Sequence, residues 1–350
     1  MENIMPLIEV GNVHAINDMP GVAISIIIPV YNGSETIVRT LDSIFNQDIG
    51  DSVEVIVVND CSTDNTLTVL KDYTSRFSHS LTIVDLPNNM RQGGARNIGV
   101  NISKGEYIQF LDSDDTLIGG SMQKLLRAIN ENRNLDILFF ESAIFDKKKN
   151  IIISSNTYPN NITTTLCGEE YICNQGVPWA PWMALYNKRF LNDNNIRFAE
   201  KVRFEDADYV LKCVLLAQRV KYLPIQTVMY HQNGSSTTNI GDDKDKILER
   251  MLSAERYYDI IVQYEETYPK GVEIIRGHYL FNYRAVLMRN IWRLDYSSII
   301  QTLKLHPYRI DECKDFFIKI TMDHRHFFAM VATILGPILK LILRIRNIIK

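Results

Sequence analysis

Apolar positions in the first half of the chain follow two alternating patterns. ISIIIPV (24–30), VEVIVV (53–58), LTIVD (81–85), EYIQFL (106–111) and DILFFE (136–141) are short runs rich in β-branched and aromatic residues that read as strands, the first two as buried ones. Between them, apolar residues recur at helical spacing: Ile37, Leu41, Ile44 and Phe45; Leu67, Leu70, Tyr73 and Phe77; Ala95, Ile98 and Ile102; Met122, Leu125, Leu126 and Ile129. Ser34 stands where it can cap the first helix, and Thr63 or Asp64 where the second begins. Strands alternating with helices predict parallel βαβ units, hence an α/β architecture whose mostly parallel sheet is flanked by helices.

Residues 1–22 show no periodicity and read as an arm. From about residue 236 the pattern turns helical and charged, over 242–268 and 271–294. The last stretch, FFAMVATILGPILKLILRIRNIIK (327–350), has no acid and carries Lys340, Arg344, Arg346 and Lys350 among Ile and Leu. Its uninterrupted apolar part is too short to span a bilayer comfortably, and Pro337 would kink it. Two readings stand: a basic amphipathic segment lying on an anionic membrane surface, or a helix packed on the protein body or in an oligomer contact. Four regions are therefore expected: an arm (1–22), a catalytic α/β domain (23–235), a helical region (236–326) and the tail (327–350).

Composition changes this picture little. The chain is 46% hydrophobic and 23% charged with a net charge of -3, which gives no general case for nucleic-acid binding. Cys61, Cys167, Cys173, Cys213 and Cys313 are odd in number, scattered and without a CxxC pair; reduced cytosolic thiols fit better than a disulfide framework or a zinc site. Glu2 and the lack of a long apolar run at the start argue against a signal peptide. The sequons at Asn101, Asn161 and Asn233 then carry no meaning. The expected location is the cytoplasm, peripheral on the inner face of the membrane.

The chemistry begins at Asp112, Asp114 and Asp115, which follow an apolar strand. Like charges so close repel unless a cation sits among them. In an extended stretch Asp112 and Asp114 share a side, which suits Mg²⁺ or Mn²⁺ holding a phosphate.

Four motifs extend this. IIIPVYNGSETIVRTLDSIFNQ, VEVIVVNDCSTDNT, GGARNIGVNISKGEYIQFLDSDD and EDADY, in that order over roughly residues 24–235, resemble glycosyltransferase family 2, inverting nucleotide-sugar transferases of the GT-A fold. The resemblance implies a divalent metal held by Asp112 and Asp114, with Ser113 between them at the donor. It implies that Pro29 and Tyr31 wall the nucleoside pocket, although plain packing serves Tyr31 as well. Asp60 takes the position that reads the base; a carboxylate accepts the imide N–H of uracil, which cytosine lacks. Its other reading is a helix cap. Asn59 stands where the family usually has a second acid.

Gly93 and Gly94 permit close backbone approach at a helix N-terminus, where an anion is favoured. Arg96 is implied to line the donor pocket beside the diphosphate, or to pair with a buried aspartate. Asp206 is implied as general base and Glu205 as its support; both would also suit a helix start. Trp179 and Trp182, bracketed by prolines, would line the acceptor pocket, one touching sugar and one packing. Some relatives place a His from this region on the metal or the diphosphate, which makes His231 a candidate metal ligand, though a lone His is more often not a ligand.

The expected reaction is transfer of a sugar, from a UDP-sugar above other donors, to a saccharide or polyprenyl-linked saccharide, as in bacterial capsule, O-antigen or exopolysaccharide synthesis. A nucleotidyltransferase would need Arg or Lys in the loop YNGSET, which has neither. A non-catalytic sugar- or nucleotide-binding subunit is the remaining alternative, and the intact Asp112, Asp114 and Asp206 argue against it.

Overall fold

The computed structural model describes residues 21–47, 49–75, 80–146, 151–156, 160, 162–178, 180–232 and 244–290. The chain divides between Ser236 and Thr237 into two compact units.

In the first unit, β1 (Ile24–Val30), β2 (Val53–Asn59), β3 (Leu81–Asp85) and β4 (Tyr107–Phe110) pair in parallel in the order β3-β2-β1-β4. Every residue of β1, β2 and β4 is buried. That explains their unbroken apolar runs: each has helices on one face and either helices or packed loops on the other. The crossover helices are α1 (Ile37–Phe45), α2 (Thr66–Thr74) and α3 (Arg91–Ile102). Ile37, Leu41, Ile44, Leu70 and Tyr73 join the core under α1 and α2, while Ala95 and Ile98 pack on Ile56, Val58 and Val84 from the other side.

Beyond β4 the sheet changes character. β5 (Thr116–Leu117), β6 (Ile137–Asp146), β7 (Ile151–Asn156), β8 (Ala184–Asn187) and β9 (Val220–Gln232) complete nine strands among the described residues. β8 runs antiparallel to both β4 and β6, and β6 is parallel to β9. The four residues of β8 are too few to announce a strand in the sequence. Leu223-Pro224, which reads as a turn, lies inside β9 instead. The ladder to β6 skips from Leu223 to Gln226, so proline sits in a bulge where its missing N–H does no harm. The outer helices are α4 (Ser121–Glu131), α5 (Gly168–Gln175), α6 (Lys188–Asp193) and α7 (Asp206–Leu216).

Pro29 has a local role. Pairing of β1 with β4 ends at Ile27–Phe110, whereas pairing with β2 runs on to Val30–Asn59. Residues two apart point their backbone groups to the same side, and Ile27 C=O accepts from Leu111 N–H. A donor at residue 29 would therefore face β4, and proline removes it just where β4 leaves the sheet.

The expected cap at Ser34 is not formed. Helix α1 opens at Ile37, and the Ser34 hydroxyl donates to Asp64 Oδ2 at 2.8 Å. Asp64 Oδ1 in turn accepts the Thr66 N–H at 3.0 Å as α2 begins.

In the second unit α8 (Lys244–Tyr264) packs on α9 (Pro269–Asn290), with Tyr257 stacked on Tyr279 at 5.8 Å. Among the described residues no helix is long and apolar enough to cross a membrane. The tail expected at 327–350 lies outside the described residues.

Candidate active site

The carboxyl ends of β1, β2 and β4 converge, and the loops leaving them are tied together. Asn32, in the left-handed region at φ 52°, accepts the Thr63 N–H on Oδ1 at 2.8 Å, while its own N–H donates to Ser62 Oγ at 2.9 Å. Gly33 N–H donates to Thr66 Oγ1 at 2.9 Å, and a Cβ there would lie 3.6 Å from Ser113 Oγ. The first loop thus spans from the second loop to the Asp112–Asp115 segment. Tyr31 is left 52% exposed at this edge, which sets aside the packing reading for it.

Asp60 is 3% exposed, and its Oδ1 accepts the Met90 N–H at 2.6 Å, so its carboxylate holds the entry to α3 rather than capping α2. Burial pushes its pKa up against the opposing backbone hydrogen bonds. Beside it, Asn59 donates to Asp85 Oδ1 at 2.6 Å; an acid at 59 would repel Asp85 there.

The Asp112–Asp115 segment is a tight turn, not an extended run. Strand β4 stops at Phe110, and Asp115 N–H closes back on Asp112 C=O at 3.1 Å. The argument from strand alternation for Asp112 and Asp114 therefore does not apply. Two residues of α1 that the sequence reading passed over hold this turn. Thr40 Oγ1 lies 2.9 Å from Ser113 C=O and 2.7 Å from Asp115 C=O, and Arg39 donates to Asp114 C=O at 2.5 Å. Nothing in the sequence marks them beyond their polarity on an otherwise buried helix face.

Asp112, Ser113 and Asp114 are half-buried, whereas Asp115 is fully buried. Burial, with Asp112 and Asp114 adding to it, pushes the Asp115 carboxyl up to about 9. Its Oδ1 accepts the His231 N–H at 2.9 Å, and the His231 ring places Nε2 2.9 Å from Thr116 Oγ1. Asp115 is thus a structural acid that pins β9 beside the turn. Among the described residues, no three or more His, Cys, Asp or Glu side chains group as a metal cage.

Arg96 is the centre of the site. Helix α3 carries it fully buried, and its guanidinium reaches three carboxylates. Nη2 donates to Asp112 Oδ1 at 2.8 Å; Nη1 donates to Glu205 Oε1 at 2.8 Å and to Asp206 Oδ1 at 2.9 Å. The Phe198 ring lies 5.2 Å from its Cζ. Burial disfavours the charge, but Asp206, Asp112 and Glu205 outweigh that and push its pKa up. The ion-pair reading of Arg96 is met, with Asp112 and with Glu205 and Asp206 at the start of α7, and an Arg beside Asp112 also suits a place in the donor pocket.

Glu205 and Asp206 open α7, where carboxylates meet the positive end of the helix dipole. Glu205 is nearly sealed; the Asp206 side chain keeps 39% of its surface open. Desolvation in this crowded cluster pushes Asp206 up to about 7; Arg96 opposes the rise, while Glu205, Asp112 and Asp208 add to it. An accessible carboxylate that titrates near neutrality can exchange protons with a ligand.

The glycines of α3 serve the protein's own packing. A Cβ on Gly93 would lie 2.3 Å from the Ala199 carbonyl oxygen and 3.1 Å from Glu205 Cγ, and one on Gly94 2.6 Å from Met90 Cβ. The close approach expected for an anion is occupied by the 198–205 segment. Trp182 is 4% exposed and stacks on Tyr230 at 6.0 Å and 7°, so it is the packing tryptophan. Trp179 lies outside the described residues.

Comparison with known proteins bears on the family and the fold. The profile of the family described as Glycosyl transferase family 2 matches residues 25–191. The chain is 29% identical over 224 residues to the glycosyltransferase EpsJ of Bacillus subtilis (strain 168), covering 62% of this chain and 63% of that protein. It is 27% identical over 273 residues to the minor teichoic acid biosynthesis protein GgaB of the same organism, covering 73% of this chain and 28% of GgaB. The chain therefore spans less than two thirds of either relative. A crystal structure of Staphylococcus aureus TarS 1-349 in complex with UDP-GlcNAc superposes with a TM-score of 0.66 at 20% identity, over 89% of both chains. At that identity the likeness is one of fold, and it bears out the α/β architecture expected from the sequence.

Proposed function

The chain belongs to glycosyltransferase family 2, and from that premise we propose that it is an inverting glycosyltransferase with Asp206 as general base. An acceptor hydroxyl attacks the anomeric carbon of a nucleotide sugar and gives its proton to Asp206. The new C–O bond forms as the bond to the β-phosphate oxygen breaks, and the nucleoside diphosphate departs. The observation that carries this reading is Arg96, which hydrogen-bonds both the Asp112 carboxylate and the Asp206 carboxylate, tying the donor side of the cleft to its base.

UDP is the proposed nucleotide. Support comes from Asp60, a buried acceptor at the end of β2, and from the fold shared with a protein crystallised with UDP-GlcNAc. Tyr31 and Pro29 would flank the base. The residues also suit a divalent cation: Asp112 and Asp114 are half-buried oxygen donors, and their charge adds to the burial that raises Asp115. Mg²⁺ or Mn²⁺ needs only one or two carboxylates when phosphates and water complete its shell. Bound there, it would offset charge on the departing diphosphate. The proposed acceptor is a saccharide or lipid-linked saccharide of a cell-surface polymer, in line with relatives named for teichoic acid and succinoglycan synthesis. The basic 327–350 tail would bring the enzyme to an anionic membrane carrying it.

The test is nucleotide release from a panel of nucleotide sugars with Mn²⁺, Mg²⁺ or EDTA. Slow, metal-dependent release from one or two UDP-sugars is expected. No release and no binding across the panel would sink the transferase reading.

A further inference from the structure

We propose that Asn97 is a positioning residue for Asp206, holding the 198–205 segment in the register that lets the base meet Arg96 and the acceptor. The proposal rests on the transferase reading above. Asn97 is 5% exposed and lies one residue after Arg96 on α3. Its amide clasps both backbone groups of Phe198: Nδ2 donates to Phe198 C=O at 3.0 Å, and Oδ1 accepts Phe198 N–H at 2.9 Å. Nδ2 also reaches Glu200 Oε1 at 3.0 Å. Only a side-chain amide offers a donor and an acceptor in this plane, so it completes the pairing that a neighbouring strand would otherwise provide.

Phe198 is where the clasp acts on the site. Its ring supports the Arg96 guanidinium at 5.2 Å and stacks on Tyr209 at 3.6 Å and 7°, and Tyr209 lies one turn after Asp206 on α7. Fixing the Phe198 backbone therefore fixes both the helix that carries the base and the cation that pairs with it. The segment has little else of regular structure to hold it: Lys201 and Phe204 both lie in the left-handed region, at φ 58° and 59°, and Lys201 N–H reaches Met90 C=O at 3.2 Å. Such backbone persists only where its surroundings over-determine it.

The experiment uses the full chain and two readouts. Asn97→Ala is expected to lower kcat for nucleotide release roughly 10–100-fold by misplacing the base, with the UDP dissociation constant unchanged. Hydrogen exchange across 198–206 should rise while β1 to β4 stay protected. Asn97→Asp sets a carboxylate against Glu200 and should lower kcat; adding Glu200→Gln on that background should recover it several-fold. The proposal is overturned if exchange in 198–206 stays at the wild-type level, if UDP binding weakens by the same factor as kcat, or if Glu200→Gln recovers nothing. Should Asn97→Ala not fold, the Asp and Asp/Gln pair decides. Should the wild-type protein turn over no nucleotide sugar, the transferase reading fails and exchange alone decides whether Asn97 holds the segment.

Discussion

Arg96→Met tests the centre of the site. The substitution keeps an unbranched apolar stem and removes the charge that pairs with Asp112, Glu205 and Asp206 together. Glu205 decides the magnitude, because its side chain is 4% exposed and cannot turn to solvent. Removing one partner of a buried ion pair destabilises by about 3–5 kcal/mol, since it strands the other charge. In a unit of more than two hundred residues each kcal/mol moves the melting midpoint by about 2–4 °C, so a loss of roughly 6–20 °C is expected. Asp206, already raised to about 7, loses the charge that opposes its rise, so its folded pKa climbs further above the unfolded one and the defect grows as pH rises from 5 to 8. The assay is thermal unfolding by circular dichroism at pH 5, 6.5 and 8. Glu205→Gln on the Arg96→Met background should recover a large part of the loss, because the pair shares one network. A midpoint within about 2 °C of wild type, or no recovery in the double variant, would refute the account of Arg96 as a charge the fold depends on.

Three further outcomes follow from the same geometry. With Asp206 raised to about 7, kcat/KM for nucleotide release should climb with pH through that value as the base deprotonates, and Asp206→Asn should abolish turnover while UDP affinity, read by calorimetry, is retained; a flat profile from pH 6 to 8 would assign the base elsewhere. Asp115, raised to about 9, is protonated when folded and ionised when unfolded at neutral pH, so Asp115→Asn should raise the melting midpoint more at pH 8 than at pH 5; a pH-independent difference would contradict the shift. Gly93→Ala places a Cβ 2.3 Å from the Ala199 oxygen, so it should destabilise by about 1–3 kcal/mol in urea unfolding and reduce turnover; a silent substitution would show that the 198–205 segment is free to move.

Much of this protein was legible in the chain itself. Five strands and the helices between them follow from local periodicity, because a strand covered on both faces, as β1 and β2 are, must be apolar throughout and a crossover helix must be apolar on one side. The places of Asp60 and Asp112 at strand ends were legible in the same pattern, and that of Asp206 through the resemblance that EDADY carries. Other features depend on residues far apart in sequence. The short β8 owes its strand state to β4 and β6, which flank it. The turn at Asp112–Asp115 is held by Thr40 and Arg39, more than seventy residues earlier. Gly93 looked open to an anion, yet Ala199 fills that space. Above all, the sequence could offer Arg96 two partners nearby but could not bring Glu205 and Asp206 to it. A guanidinium has one charge and a fixed fork of donors, and only the packing of α3 against the segment before α7 decides which carboxylates share it.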